Sequence, residues 1–228
     1  MSDQDSFKRQ AAEAALERVR DGMVLGLGTG STAAFMVEAL GRRVQGGLDI
    51  VGIPTSERTA AHATALGIRL VDFSTHPRID LTIDGADEVH TGTLDLIKGL
   101  GGALLREKIV AAASARMTVI VDASKLAAEL GRTVRVPVEV VPFGWQSTAG
   151  QLRDAGADAI LRCGPDGPFH TDGGNLILDC AFAGIPDPGA LAGRLKAITG
   201  VVETGLFIGL ATTIIAATPA GLQILERS

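Results

Sequence analysis

Residues 23–32 read MVLGLGTGST, and the local structure of this stretch decides the architecture of the chain. A short apolar run passes into glycines and then reaches Ser31 and Thr32, residue types that open helices. A strand that enters a helix through glycines is the joint of a βαβ unit, and the first half of the chain repeats it. An amphipathic helix starting near Ser6 stops at Gly22. DIVGIPTS (49–56) precedes an Ala-rich helix ending at Gly67, and LTIDGAD (81–87) and MTVIVDASK (117–125) flank a helix predicted to begin near Gly102. Such alternation gives a mainly parallel, twisted sheet with helices on both faces.

The strands also end alike, in GTGST, PTSERT, DGADE and DASK. In open α/β sheets ligands bind beyond the carboxyl ends of the strands, so four segments converge on one predicted site. After Gly131 the pattern changes to strand (134–144), helix (145–155), two strands (DAILRC and NLILDCAF), a helix after Pro188 and a strand from Gly200. That βαββαβ order suits a ferredoxin-like α+β unit. The expected organisation is a Rossmann-like α/β domain over 1–131 and 206–228, with the small domain inserted at 132–205.

Bulk properties narrow the function. Net charge is −5 and aromatics are 4%, without a basic run, which argues against a nucleic-acid surface. No apolar run reaches about 18 residues and the polar N-terminus has no apolar signal core, so no membrane partner and a cytoplasmic location are expected. Cys163 and Cys180 lack metal-type spacing and read as free thiols. The histidines at 62, 76, 90 and 170 form no ligand set, so no metal is expected.

Each chemical segment carries two readings. GLGTGST (26–32) either cradles an anion on free N–H groups, with hydroxyls from Thr29, Ser31 and Thr32, or is a tight turn capped by Ser31. It lacks the Gly-Lys-Ser/Thr ending of a nucleotide-triphosphate loop. Asp84, Asp87 and Glu88 in DGADEV (84–89) can orient hydroxyls and handle protons, or form a polar turn. Lys98 comes where an apolar run meets glycines, where a cation can face an oxyanion. In a helix over 103–115, Leu105, Ile109 and Ala112 share one face and Glu107 points away from it, which on periodicity alone makes Glu107 an exposed first-turn acid.

Taken together, GLGTGST (26–32), TSERT (55–59), DGADEV (84–89), KGLGGALLREK (98–108) and DASK (122–125), in this order, resemble the ribose-5-phosphate isomerase family of type A. The likeness extends to PVEVVPF (137–143), TDGGNLILD (171–179) and GVVETGLF (200–207). It implies interconversion of ribose 5-phosphate and ribulose 5-phosphate in the non-oxidative pentose phosphate branch, through an enediolate, without metal or organic cofactor. The position matching the family's glutamate base is Glu107. The substrate contacts implied are Thr29, Gly30, Ser31 and Thr32; Asp84, Gly85, Ala86 and Asp87; Lys98, Gly99, Leu100 and Gly101; and Lys125, with Lys8 a further match near the phosphate. Asp84, Asp87 and Lys98 join Glu107 in the expected chemistry. Leu100 stands where the family more commonly carries glycine, and FIGLATTIIAATPAG (207–221) departs from an ending that often has an Ala-Asp pair. The resemblance also suggests a homodimer or homotetramer. Fold likeness alone would also permit a sugar-phosphate deaminase, a lactonase, a coenzyme A transferase or a sugar-phosphate sensor module.

Overall fold

In the strand Val24–Leu27 successive side chains leave opposite faces of the sheet. Leu25 and Leu27 join a core with Ala11, Ala15 and Leu16 of the helix Asp3–Leu16 and with Met36 and Leu40 of the helix Ser31–Gln45. On the other face, Gly26 leaves room for the helix Leu104–Ala112. A Cβ at Gly26 would stand 1.9 Å from Thr82 Oγ1 and 2.6 Å from Val110 Cγ1. Ile53, Ile79 and Val110 form a smaller core there. Helices therefore cover both faces, as the alternation of elements requires.

The computed structural model describes residues 3–227 and falls into two units. The first holds the chain up to Ala86, Arg106–Leu126 and the chain from Leu210. Its six-stranded sheet runs in the order Gly221–Glu226, Thr213–Thr218, Met117–Asp122, Leu81–Asp84, Val24–Leu27, Val51–Pro54. All neighbours pair in parallel except the edge strand Gly221–Glu226, which folds back on Thr213–Thr218 as a hairpin. Parallel pairing brings the carboxyl ends of Val24–Leu27, Leu81–Asp84 and Met117–Asp122 to one edge.

The second unit holds Asp87–Leu105 and Ala127–Gly209. Its antiparallel sheet runs Val201–Thr204, Val136–Val140, Leu176–Ala181, Asp158–Leu161. Counted along the chain this is fourth, first, third, second, the arrangement of a βαββαβ unit. Ala149 and Leu152 of the helix Trp145–Asp154, and Leu191 and Leu195 of the helix Pro188–Lys196, share a core with Val136, Val138, Val140 and Leu178 of the sheet.

The division differs from the sequence expectation at 87–105, 127–131 and 206–209, all of which group with the second unit. The cause is strand pairing: Glu88–His90 pairs with Leu96–Ile97, which pairs with Leu206–Phe207. Gly205 marks the point where the chain passes from Val201–Thr204 into Leu206–Phe207, since a Cβ there would meet Lys98 O at 2.3 Å.

Candidate active site

In the first unit the loop after Val24–Leu27 is tied to the end of its neighbour. Gly28 N–H donates to Ile83 O (3.0 Å) and Thr29 N–H to Asp84 Oδ1 (3.0 Å). Asp84 is fully buried and accepts a second N–H, from Gly85 (2.7 Å). Ala86, half-buried, is the last residue of this part of the unit.

Thr29 turns its hydroxyl into a cluster of other hydroxyls. Its Oγ1 lies within 2.7 Å of both Thr55 Oγ1 and Ser56 Oγ and 3.1 Å from Thr59 Oγ1. Thr59 Oγ1 in turn donates to Gly28 O (3.0 Å), while Ser56 caps the helix Glu57–Ala65 through Thr59 N–H. The three hydroxyl residues of TSERT, Thr55, Ser56 and Thr59, are thus a buried brace that fixes the loop from behind.

Gly30, at φ 120°, takes the N-cap place that Ser31 was expected to fill, and no side chain caps the helix Ser31–Gln45. The first intrahelical bond comes from Ala34 N–H to Gly30 O (2.9 Å), so the N–H groups of Ser31, Thr32 and Ala33 lie ahead of it. Ser31 is exposed and Thr32 half-buried. A cleft of about 340 Å³ opens on this loop, lined by Gly28, Gly30, Ser31, Arg58, Thr59 and His62 among others. Arg58 and His62 escaped the sequence reading. The only signal for Arg58 was its place inside TSERT.

Lys125 sits half-buried in the turn Ala123–Lys125, directly after the strand beside Leu81–Asp84. Asp122 holds that turn by accepting Ser124 N–H (2.9 Å). Lys8 is half-buried on the opening helix, which meets the helix Ser31–Gln45 where Arg9 lies over the Phe35 ring at 5.1 Å.

The helix Leu104–Ala112 corrects the periodicity argument for Glu107. Ile109 is 48% exposed, Ala112 is exposed and Leu105 half-buried, so the expected aliphatic seam is the outer face. The buried face carries Leu104, Glu107, Val110 and Ala111, with Glu107 only 3% exposed. Glu107 does point away from Leu105 and Ile109, but inward. Arg106 and Lys108 are the half-buried charges of the triplet, and Arg106 pairs with Glu57 (2.7 Å).

In the second unit Lys98 is 2% exposed and its ammonium lies 5.6 Å from the centre of the Phe207 ring, a cation–π contact. Gly99, at φ 106°, begins a turn closed by Gly102 N–H to Gly99 O (3.0 Å). Asp87 Oδ2 accepts Leu100 N–H (2.9 Å), while the Leu100 side chain is 48% exposed. Glu88 is not part of this arrangement: its oxygens accept Gly131 N–H (2.6 Å) and the Thr133 hydroxyl (3.0 Å). Sequence reasoning also missed Arg162, which donates to Gly99 O (2.9 Å) and Leu100 O (3.0 Å). Nothing near Arg162 in the sequence points to a loop so far upstream.

Among the described residues no group of three His, Cys, Asp or Glu is placed to hold a metal ion, and no helix is long and apolar enough to cross a membrane. A buried glutamate, a buried lysine and carboxylates bound to backbone N–H groups are parts suited to proton transfer at a carbon beside a carbonyl.

Residues 51–221 match the model of the family described as ribose 5-phosphate isomerase A (phosphoriboisomerase A). The ribose-5-phosphate isomerase A of Gloeobacter violaceus is 57% identical over 226 residues, covering 99% of this chain and 98% of that protein. The solved ribose 5-phosphate isomerase A of Methanocaldococcus jannaschii is 39% identical with a TM-score of 0.95, over 98% of this chain and 100% of that one. Another D-ribose-5-phosphate isomerase, solved in complex with phospho-erythronic acid, is 40% identical with a TM-score of 0.96, over 99% and 100%. The chain belongs to the ribose 5-phosphate isomerase A family.

Proposed function

We propose that this protein interconverts ribose 5-phosphate and ribulose 5-phosphate, a step of the non-oxidative pentose phosphate branch, with Glu107 as the base. Family membership supports the reaction, and the observation that carries the mechanism is the burial of Glu107 on the inner face of its helix. Glu107 takes the proton from C2 of the open-chain aldose. The electron pair left behind forms the C1–C2 double bond, and the carbonyl pair moves onto O1. The enediolate so formed accepts the proton back at C1 while the O2–H proton passes to O1, leaving the ketone at C2.

Lys98 and the backbone N–H groups after it stabilise the developing oxyanion, because fixed donors cost no reorganisation as charge appears. Asp84 and Asp87 hold the sugar hydroxyls and assist ring opening. The N–H groups and hydroxyls at Ser31 and Thr32, with Lys125 and Lys8, hold the phosphate, which anchors the substrate by its unreactive end. Thr29 belongs to this site as a brace. The deaminase, lactonase, transferase and sensor readings find no support in the comparisons.

Ketose formation from ribose 5-phosphate, measured with EDTA present, tests the reading. Activity survives chelation, and Glu107→Gln lowers kcat by about 10²- to 10⁴-fold with KM little changed, the range of a general base. A Glu107→Gln protein as active as the parent would sink the mechanism. Solvent deuterium appearing at the carbon beside the carbonyl marks proton rather than hydride transfer.

A homodimer or homotetramer is also proposed, supported by exposed apolar side chains on the second unit, Phe143 at 94% above all, with Val141 and Ile160. Sedimentation as a monomer at micromolar concentration would count against it. A cytoplasmic setting agrees with Cys163 and Cys180 being free.

A further inference from the structure

We infer that Arg162 is a positioning residue that sets the backbone of the Lys98–Gly101 loop, aiming the Gly101 N–H at the substrate oxygen. This rests on the proposed role of that loop in substrate binding. Four contacts of one guanidinium carry the inference. Its Nε and Nη2 donate to Asp179 Oδ2 (2.9 Å) and Oδ1 (2.5 Å), a bidentate fork that fixes the plane of the group. Nη1, the nitrogen left over, donates to Gly99 O (2.9 Å) and Leu100 O (3.0 Å). Asp179 lies on the strand Leu176–Ala181, and Phe169 packs on the guanidinium at 5.9 Å, so the donors stand on rigid structure. Arg162 and Asp179 side chains are 14% and 20% exposed, which shields the pair from solvent competition.

Peptide planarity turns these contacts into a statement about the loop's other side. In a trans peptide the C=O and the following N–H point in opposite directions. Arg162 holds Gly99 O, so Leu100 N–H points away from it, and that N–H is the one received by Asp87 Oδ2. Arg162 also holds Leu100 O, so Gly101 N–H likewise points away from Arg162. Gly101 is exposed, and its N–H has no protein partner among the described residues. An extended chain would alternate successive carbonyls; here one cation holds two in a row and presents the two N–H groups behind them to one side. One of those is held by Asp87 and the other remains for a ligand. The charge matters too, since a cation on the two carbonyl oxygens polarises both peptides and makes their N–H groups stronger donors.

Lysine cannot replace this arrangement, because an ammonium lacks the planar fork that serves Asp179 and two carbonyls at once. The test compares Arg162→Met and Arg162→Lys with the parent in three measurements: isomerase kcat and KM, the affinities of phospho-erythronic acid and inorganic phosphate, and amide exchange over residues 98–103. Loss of loop geometry is expected to lower kcat by about 10²-fold, the cost of a misplacement near 1 Å. Phospho-erythronic acid, whose carboxylate end meets the loop if the proposed substrate placement holds, weakens about tenfold or more in both variants, whereas inorganic phosphate binds as before. Exchange rises at 98–103 and nowhere else.

Variants with parental kcat and parental phospho-erythronic acid affinity would overturn the inference. So would equal loss of both ligands with exchange raised throughout, which would make Arg162 a stabiliser of the unit only. If the parent itself does not isomerise ribose 5-phosphate, the proposed function fails. If the parent is active and the variants match it, only the role of Arg162 fails.

Discussion

Gly28→Ala tests how closely the loop after the first strand is tied to Asp84. A Cβ at residue 28 would lie 2.2 Å from Asp84 Oδ1, 2.4 Å from its Cγ and 2.5 Å from its Cα. The first two clashes could be relieved by turning the side chain, but the third is with strand backbone. Restoring ordinary contact, which starts near 3.4 Å, requires the strand ends to part or Asp84 to shift. A shift of about 1 Å in a group that orients substrate costs about 10²-fold in rate. Overpacking of this kind costs about 1–3 kcal/mol in stability, and in a chain of this length each kcal/mol lowers Tm by about 2–4 °C. The control is Gly150→Ala, inside the helix Trp145–Asp154, where a Cβ meets nothing within 4 Å. There alanine removes the helix penalty of glycine and adds about 0.5–1 kcal/mol. Steady-state isomerisation and thermal melts on the two variants should diverge, with kcat and Tm falling in Gly28→Ala and only Tm rising in Gly150→Ala. A Gly28→Ala protein that keeps kcat within twofold would refute the dependence of Asp84 on the missing side chain, whatever its Tm.

Three further outcomes follow from ionisation. Burial first, and the neighbouring Asp179 second, push the Cys180 thiol up to about 12 from an ordinary 9.0. A thiol reagent should therefore label exposed Cys163 quickly and Cys180 only after denaturation. The unfolded chain releases the Cys180 proton near 9.0 while the folded chain holds it to about 12, so stability falls as pH rises through that window. Cys180→Ala should flatten the fall in an alkaline melting series, and an unchanged slope would contradict this. At the acid end, the Ser74 hydroxyl and then its N–H lower the pKa of Asp72 by hydrogen bonding to the charged form. That contribution is present above the ordinary carboxylate value and is lost as pH falls through the lowered one. Ser74→Ala should move the acid unfolding midpoint slightly upward and leave kcat alone; a lower midpoint would reverse the assignment.

What the sequence made legible was local, and what it hid was decided at a distance. The strands Val24–Leu27, Leu81–Asp84 and Met117–Asp122 declare themselves by apolar runs that end in glycine or acid, and the βαββαβ order of the second unit follows from the same signals. Pairing partners are not written in such runs, so the grouping of 87–105 with Leu206–Phe207 could not be read. Arg162 was hidden for the same reason, since it lies 63 residues beyond Gly99, whose carbonyl it holds. Thr29 shows a different limit: a hydroxyl in a Gly-rich turn suits an anion or a buried brace equally, and its contacts with Thr55, Ser56 and Thr59 are not written in the turn itself.

The helix carrying Glu107 is the most instructive of these cases. It has two apolar stripes, Leu104 with Val110 and Ala111, and Leu105 with Ile109 and Ala112, and a helical wheel cannot rank them. The choice is made by the surface the helix meets. Gly26 leaves a depression in the sheet, with Thr82 beside it, and Val110 fills it. Once Val110 is seated, Glu107 is one turn back on the same side and has to be buried. The glycine that reads in the sequence as part of a strand-to-helix turn is therefore also what decides which way the acid points. A larger residue at 26 would push against Val110 and disturb Glu107 through the helix, without touching any atom of the proposed base.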